Sequence, residues 1–197
     1  MPRIGLVTVV TLLLCIALVP SGAAERREWV SVTDCQYVMA KDNDGDSFRV
    51  RCGSKEFILR LYFVDTPEVN LSYPERTREQ SEHFGVTLDE TMKAGAQARD
   101  TVQKMLRESF IVRTRWATAA GRAKEPRYYA MVEVGGKSLA ELLVGQGLAR
   151  IKGVYPNLPT GEKGKAYVER LGMLEREARQ KRLGVWATSA KTKTPTR

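Results

Sequence analysis

Two short acidic clusters contain the residues best suited to chemistry. The first is Asp44-Gly45-Asp46, and the second is Asp65-Thr66-Pro67-Glu68, which follows an apolar run. Neighbouring carboxylates repel one another, and a bound cation relieves that repulsion. Carboxylate and carbonyl oxygens are the ligands that Ca²⁺ and Mg²⁺ prefer in proteins. We therefore expect Asp46, Asp65 and the Thr66 carbonyl to hold one hard cation.

An arginine interrupts the apolar run that leads into the second cluster. Arg60 lies in the middle of Glu56–Val64, where strand alternation would place it on one face with Tyr62 and Val64. A guanidinium close to metal-bound carboxylates is well suited to hold a phosphate through two parallel hydrogen bonds. The alternative is a purely structural ion pair between Arg60 and one acid, because a buried arginine needs a partner.

The chain around these clusters is predicted to contain five strands and three helices. Periodicity and turn residues place strands at 36–41, 47–52, 56–64, 110–116 and 127–134, and helices at 90–107, 138–145 and 165–182. Residues 68–89 are polar, so we expect a long surface loop there, with a loose connector at 117–125. Five short strands with interleaved helices indicate an α+β, mainly β, partly open Greek-key barrel.

Length and composition are those of one globular domain with short appendages. The 197 residues are 43% hydrophobic and 28% charged, which excludes an intrinsically disordered chain. The formal net charge of +9 predicts attraction to polyanions such as nucleic acid or acidic envelope surfaces.

The N-terminus has the pattern of an export signal. A basic start is followed by the apolar stretch 4–19 and by small residues up to Ala24, after which we place the cleavage site. We expect a signal peptide at 1–24, a lead-in at 25–34, the main domain at 35–187 and a basic tail at 188–197. An uncleaved membrane anchor is the alternative, but the apolar stretch is short for a spanning helix. The protein is therefore expected to be secreted or periplasmic.

Cys35 and Cys52 are the two cysteines that remain after such cleavage. A hairpin turn centred on Asn43-Asp44 would place them directly opposite each other, close enough to form a disulfide. An oxidising compartment favours that bond, while two free buried thiols are the alternative.

Several motifs resemble the staphylococcal nuclease (thermonuclease) family across roughly residues 35–187. They are DGDS, FILRLYFVDTPE, YAMVEVGGKSLAELLVGQGLAR and LEREARQKRLGVW. The resemblance implies an OB-type five-stranded barrel with three helices, in agreement with the predicted element order. It also implies an enzyme that uses one Ca²⁺ ion to cut DNA and RNA and leaves 3′-phosphate ends. We expect the protein to be a monomer.

Matching the motifs position by position assigns roles to single residues. Asp46 and Asp65 correspond to the metal carboxylates and Thr66 to the backbone carbonyl ligand. Glu68 and Arg60 correspond to a catalytic glutamate and a phosphate-binding arginine. Asp44 corresponds to an acid outside the metal's direct ligands, although by itself it is equally typical of a turn.

The second catalytic arginine and the nucleotide-stacking tyrosines match less well. Ungapped counting leads to Arg127, whereas Arg122 has the more similar local sequence but needs an insertion. We choose Arg127 because it begins a predicted strand. Tyr155 matches one stacking tyrosine, but Gly153 and Glu125 stand where the family has the others. A non-catalytic OB-type module that binds nucleic acid is the main alternative function, and a basic envelope-binding protein is a second.

Overall fold

The structure is a computed structural model that describes residues 28–120 and 125–189. The predicted signal peptide, Arg122 and residues 190–197 of the basic tail lie outside the described residues. In the described part, no helix is both long and apolar enough to cross a membrane.

The described residues contain eight strands: β1 (Val30–Tyr37), β2 (Ser47–Cys52), β3 (Lys55–Leu61), β4 (Val64–Asp65), β5 (Phe110–Ala119), β6 (Arg127–Val134), β7 (Lys137–Ser138) and β8 (Arg150–Ile151). Five of them, β1, β2, β3, β5 and β6, close into a barrel. β2 pairs with β1 and β3, and β5 pairs with β1 and β6, all antiparallel. A parallel pairing between β3 and β6 then closes the ring. The predicted five-stranded barrel is confirmed, and it is closed rather than partly open.

The helices are α1 (Pro74–Phe84), α2 (Leu88–Met105), α3 (Leu139–Gly145) and α4 (Gly164–Gln180), with a 3₁₀ turn at Gly184–Ala187. The last three α-helices agree with the predicted ones to within two residues at either end. The prediction of a loop at 68–89 was wrong, because α1 occupies half of it. The buried face of α1 is mostly polar, so it lacks the apolar stripe that identifies a helix; its members are Thr77, Gln80, Ser81 and Phe84.

Several strand boundaries also differ from the prediction. β1 begins at Val30, within the predicted lead-in, and ends at Tyr37 rather than at 41. β5 continues to Ala119, into the predicted connector at 117–125, through a bulge at which Trp116 has φ of 56°. The predicted strand 56–64 is broken after Leu61, since Phe63 has φ of 72°. The alternation expected from Arg60 to Val64 therefore does not hold. The break turns the chain so that the short β4 pairs with β8.

The hairpin formed by β1 and β2 has the predicted register. Cys35 lies opposite Cys52, and their sulfur atoms are 2.02 Å apart in a disulfide. Both cysteines belong to the main core, which fills the barrel and extends to α2, α3 and α4. The disulfide therefore closes the base of the hairpin whose tip carries Asp44 and Asp46.

Candidate active site

The hairpin tip is shaped by hydrogen bonds from side chains to the backbone. Asp44 Oδ1 accepts from the amides of Asp46 at 3.0 Å and Ser47 at 2.6 Å. A Cβ placed on Gly45 would lie 2.8 Å from the Thr66 side chain and 2.9 Å from that of Ala98. The tip therefore packs directly on the second acidic cluster and on α2, and only glycine allows this close approach.

Asp46 and Asp65 converge on one guanidinium. Arg60 Nη1 lies 2.8 Å from Asp46 Oδ1, and Arg60 Nη2 lies 3.0 Å from Asp65 Oδ1. The Thr66 amide donates to Asp46 Oδ2 at 2.8 Å, which ties the two clusters together. Both aspartates are buried. Arg60 thus bridges two acids, rather than forming the single structural ion pair considered from sequence.

Helix α1 contributes two further residues that the sequence did not identify. Arg76 contacts Asp65 Oδ1 through Nη2 and Glu68 Oε1 through Nε, the latter at 2.8 Å. One turn later, the buried Gln80 donates to Asp65 Oδ2 and to the Thr66 carbonyl, both at 2.9 Å. Its Oε1 accepts from the Glu68 amide at 2.8 Å. The side chain of Gln80 therefore fixes the backbone that presents Thr66 and Glu68.

A third missed residue, Arg150 of β8, approaches Asp65 from another side. Its Nε lies 2.8 Å from Asp65 Oδ2, and its Nη1 lies 3.3 Å from Glu79. The antiparallel pairing of Asp65 with Arg150 in β4 and β8 sets this contact. The apolar stretch that ends at Arg150 was the available sequence clue, since an arginine there implies a buried acidic partner. Arg76 offered no such clue, because its segment is polar throughout.

The electrostatic environments of the acids differ. Burial raises the pKa of Asp46 well above its usual value, and the nearby Asp44 and Asp65 raise it further against the effect of Arg60. Burial also raises the pKa of Asp65, but Arg76, Arg60, the Gln80 hydrogen bond and Arg150 together lower it to about 2. Burial raises the pKa of Glu68, and Arg76 opposes that effect. Burial thus favours the protonated forms of Asp46 and Glu68, whereas the surrounding arginines favour the charged form of Asp65.

The donor set of the site fits a hard cation. Asp46 Oδ1 is buried, and within the described residues it has an ion-pair contact with Arg60 Nη1 at 2.8 Å but no hydrogen bond. Carboxylates of Asp46 and Asp65, with the Thr66 carbonyl, are the oxygen ligands that Ca²⁺ or Mg²⁺ prefer. In the described ranges, no group of three or more His, Cys, Asp or Glu is arranged as a ready metal site. The arginines instead supply the positive charge between the acids.

Arg127 lies beside the same hairpin. It begins β6, and its guanidinium is 3.4 Å from Ser47 Oγ through Nη1 and 3.1 Å from the Ala120 carbonyl through Nη2. Ser47 is the strand partner of Arg60 in the pairing of β2 with β3. The predicted pair of arginines is thus brought to one region, whereas Arg122 lies in the gap of the described chain.

An open groove adjoins the acids. The cavity has a volume of about 490 Å³ and is lined by Arg60, Asp65, Glu75, Arg76, Glu79, Lys152 and Gly153. Tyr155 follows two residues later, 45% exposed, with its ring stacked on Phe63 at 5.8 Å between centroids. The groove lining therefore carries three cationic and three acidic side chains. Gly153 stands in the groove wall at the position where the family has a tyrosine, so no aromatic side chain occupies that place.

The chain is similar to known proteins and to one family model. Endonuclease YncB of Bacillus subtilis (strain 168) is 29% identical over 146 residues, which are 74% of this chain and 59% of the relative. SPbeta prophage-derived endonuclease YokF of the same organism is 27% identical over 144 residues, 73% of this chain and 41% of the relative. The chain thus spans about half the length of these relatives. The model of the family described as staphylococcal nuclease homologue matches residues 58–188, well over half of the chain, and the protein belongs to that family.

Proposed function

We propose that this protein is a calcium-dependent nuclease that hydrolyses phosphodiester bonds of DNA and RNA and leaves 3′-phosphate ends. The observation that carries the proposal is the convergence of Asp46, Asp65 and Glu68 around arginines at the edge of an open groove that Arg60 and Arg76 also line. Two relatives that carry the name endonuclease support it.

Each residue has a role that follows from its position. A calcium ion held by Asp46, Asp65 and the Thr66 carbonyl would neutralise negative charge on the scissile phosphate. Arg60, already oriented by two aspartates, presents its guanidinium toward the groove, where it donates hydrogen bonds to phosphate oxygens. Arg127 adds a second guanidinium beside Ser47. Glu68 takes a proton from the attacking water or orients that water.

We further propose that the enzyme acts outside the cytoplasm as a monomer. The signal-like N-terminus predicts export, and the Cys35–Cys52 disulfide suits an oxidising compartment. Tyr155, exposed next to the groove-lining segment, is the proposed surface on which a nucleotide base stacks.

A cleavage assay on single- and double-stranded DNA and on RNA tests the proposal. Cleavage is expected with added Ca²⁺ and should stop when a chelator is added, and a phosphatase should remove phosphate from the 3′ ends of the products. Binding without cleavage in any metal would instead favour a nucleic-acid-binding module. Cleavage that persists in excess chelator would contradict the role of the metal.

A further inference from the structure

The carboxylate of Asp65 has no vacant acceptor position. Two carboxylate oxygens offer about four lone-pair directions in all. Oδ1 accepts from Arg60 at 3.0 Å and from Arg76, and Oδ2 accepts from Gln80 at 2.9 Å and Arg150 at 2.8 Å. A metal ion can therefore use Asp65 as a ligand only if one of these four donors leaves.

The four donors differ in how firmly they are held. Gln80 is fully buried and makes two further hydrogen bonds, and the side chain of Arg150 is only 4% exposed. Arg60 is 14% exposed and also pairs with Asp46. Arg76 is 31% exposed, lies in the first turn of α1 and lines the open groove. It is the most exposed of the three arginines, and the groove gives its side chain space to enter, so it can withdraw into solvent most readily.

Arg76 is also the donor that holds the proposed catalytic acid. Its Nε lies 2.8 Å from Glu68 Oε1, while its Nη2 contacts Asp65 and lies 4.0 Å from Asp46 Oδ2. One guanidinium therefore faces all three acids of the site. While it stays there, Glu68 has a cationic partner and is restrained from acting on a water molecule.

We propose that Arg76 is an internal cation that a divalent metal ion must displace from Asp65. Arg76 thereby sets the metal affinity of the site and keeps Glu68 paired until the metal binds. The inference rests on the proposed calcium site. It predicts that the metal ion and the Arg76 guanidinium exclude each other at Asp65. Removal of the guanidinium should therefore strengthen metal binding by the free energy that its displacement costs in the parent protein.

Calorimetric titration of the purified protein with Ca²⁺ alone, without nucleic acid, tests this exclusion. Arg76→Gln should lower the Kd for Ca²⁺ by about tenfold or more, within the usual range of coupling between sites. Arg76→Lys should have an intermediate Kd, because one ammonium group cannot span two carboxylates as a guanidinium does. The lysine variant also covers the case in which the glutamine variant does not fold.

Arg78→Gln is the matched control, since it removes the same charge from an exposed position of the same helix. Its Kd should stay within about twofold of the parent value, because exposed charges are screened by salt. An Arg76→Gln variant that binds Ca²⁺ as weakly as the parent, or more weakly, would overturn the inference. If the parent still cleaves DNA with Ca²⁺, the proposed function survives that result. If no variant binds Ca²⁺ or cleaves, both fail.

Discussion

At the scale of single residues, the site is a buried network in which arginines balance carboxylates. Asp65 pairs with Arg60, Arg76 and Arg150, and Asp46 shares Arg60. Removing charges from water is costly, so each buried carboxylate must be paired, and removal of one partner leaves the other uncompensated. Arg60 therefore supports folding as well as the proposed chemistry, and loss of activity in an Arg60 variant has to be separated from loss of stability.

A Glu68 variant separates the proposed chemistry from stability better than an Arg60 variant does. Glu68→Gln keeps the shape of the side chain but removes the proton acceptor, so the rate of cleavage should fall by about 10²–10⁴-fold. The unfolding midpoint should change little. Glu82→Gln, an exposed position on α1, is the control and should cleave at the parent rate. Equal activity of both variants would remove Glu68 from the mechanism.

The two candidate arginines can be separated in the same assay. Arg127→Ala should reduce cleavage by about 10²–10³-fold, because a preoriented donor to the phosphate is lost. Arg122→Ala should retain activity if Arg127, which lies beside Ser47 of the hairpin, is the phosphate donor. The reverse result would assign the role to Arg122.

At the scale of elements, three segments meet at the acids: the tip of the β1–β2 hairpin, helix α1 and helix α2. Helix α1 supplies Arg76 and Gln80 one turn apart on one face. Helix α2 approaches so closely that a Cβ on Gly95 would lie 2.4 Å from the Glu68 carbonyl oxygen and 2.5 Å from that of Pro67. The backbone that presents Glu68 is thus held between two helices.

Gly95→Ala should push α2 away from Glu68. We expect a loss of about 1–3 kcal/mol in the free energy of unfolding, as for other overpacked positions. Displacement of Glu68 should also lower cleavage by on the order of 10²-fold. Chemical denaturation and the cleavage assay measure the two effects.

Gly172→Ala in α4 is the control for this variant. There the added Cβ would meet only a flexible arginine end at 3.4 Å, so stability should rise by about 0.5–1 kcal/mol through helix propensity. If Gly95→Ala behaves like Gly172→Ala, the close approach of α2 does not position the site.

At the scale of the whole molecule, barrel closure decides which side chains meet. The parallel pairing of β3 with β6 sets Arg127 opposite Ile58, two residues before Arg60. The disulfide at the base of the first hairpin closes a loop with a sequence separation of 17 that contains Asp44 and Asp46. The proposed ligands and both arginines therefore depend on one closed framework.

Reduction of the disulfide should destabilise that framework. A loop of this length predicts a loss of about 3 kcal/mol in the free energy of unfolding, chiefly because the unfolded chain gains freedom. Urea unfolding with and without reductant measures the loss. A Cys35→Ser/Cys52→Ser double variant should have the same unfolding midpoint as the reduced parent. Addition of reductant should not change that midpoint. An unchanged midpoint on reduction would show that the bond is not stabilising.

Local pattern in the sequence determined the barrel strands, three of the helices, the register of the first hairpin and the acidic clusters. These features depend on periodicity, turn residues and neighbours along the chain, which a sequence displays directly. Only the tertiary structure showed helix α1, because its buried face is mostly polar and lacks an apolar stripe. It alone also placed Arg76, Gln80 and Arg150 around Asp65. A buried charge pairs with the residues that lie close to it in space, whatever their positions in the sequence. Those three residues are separated from Asp65 by up to 85 positions in the chain.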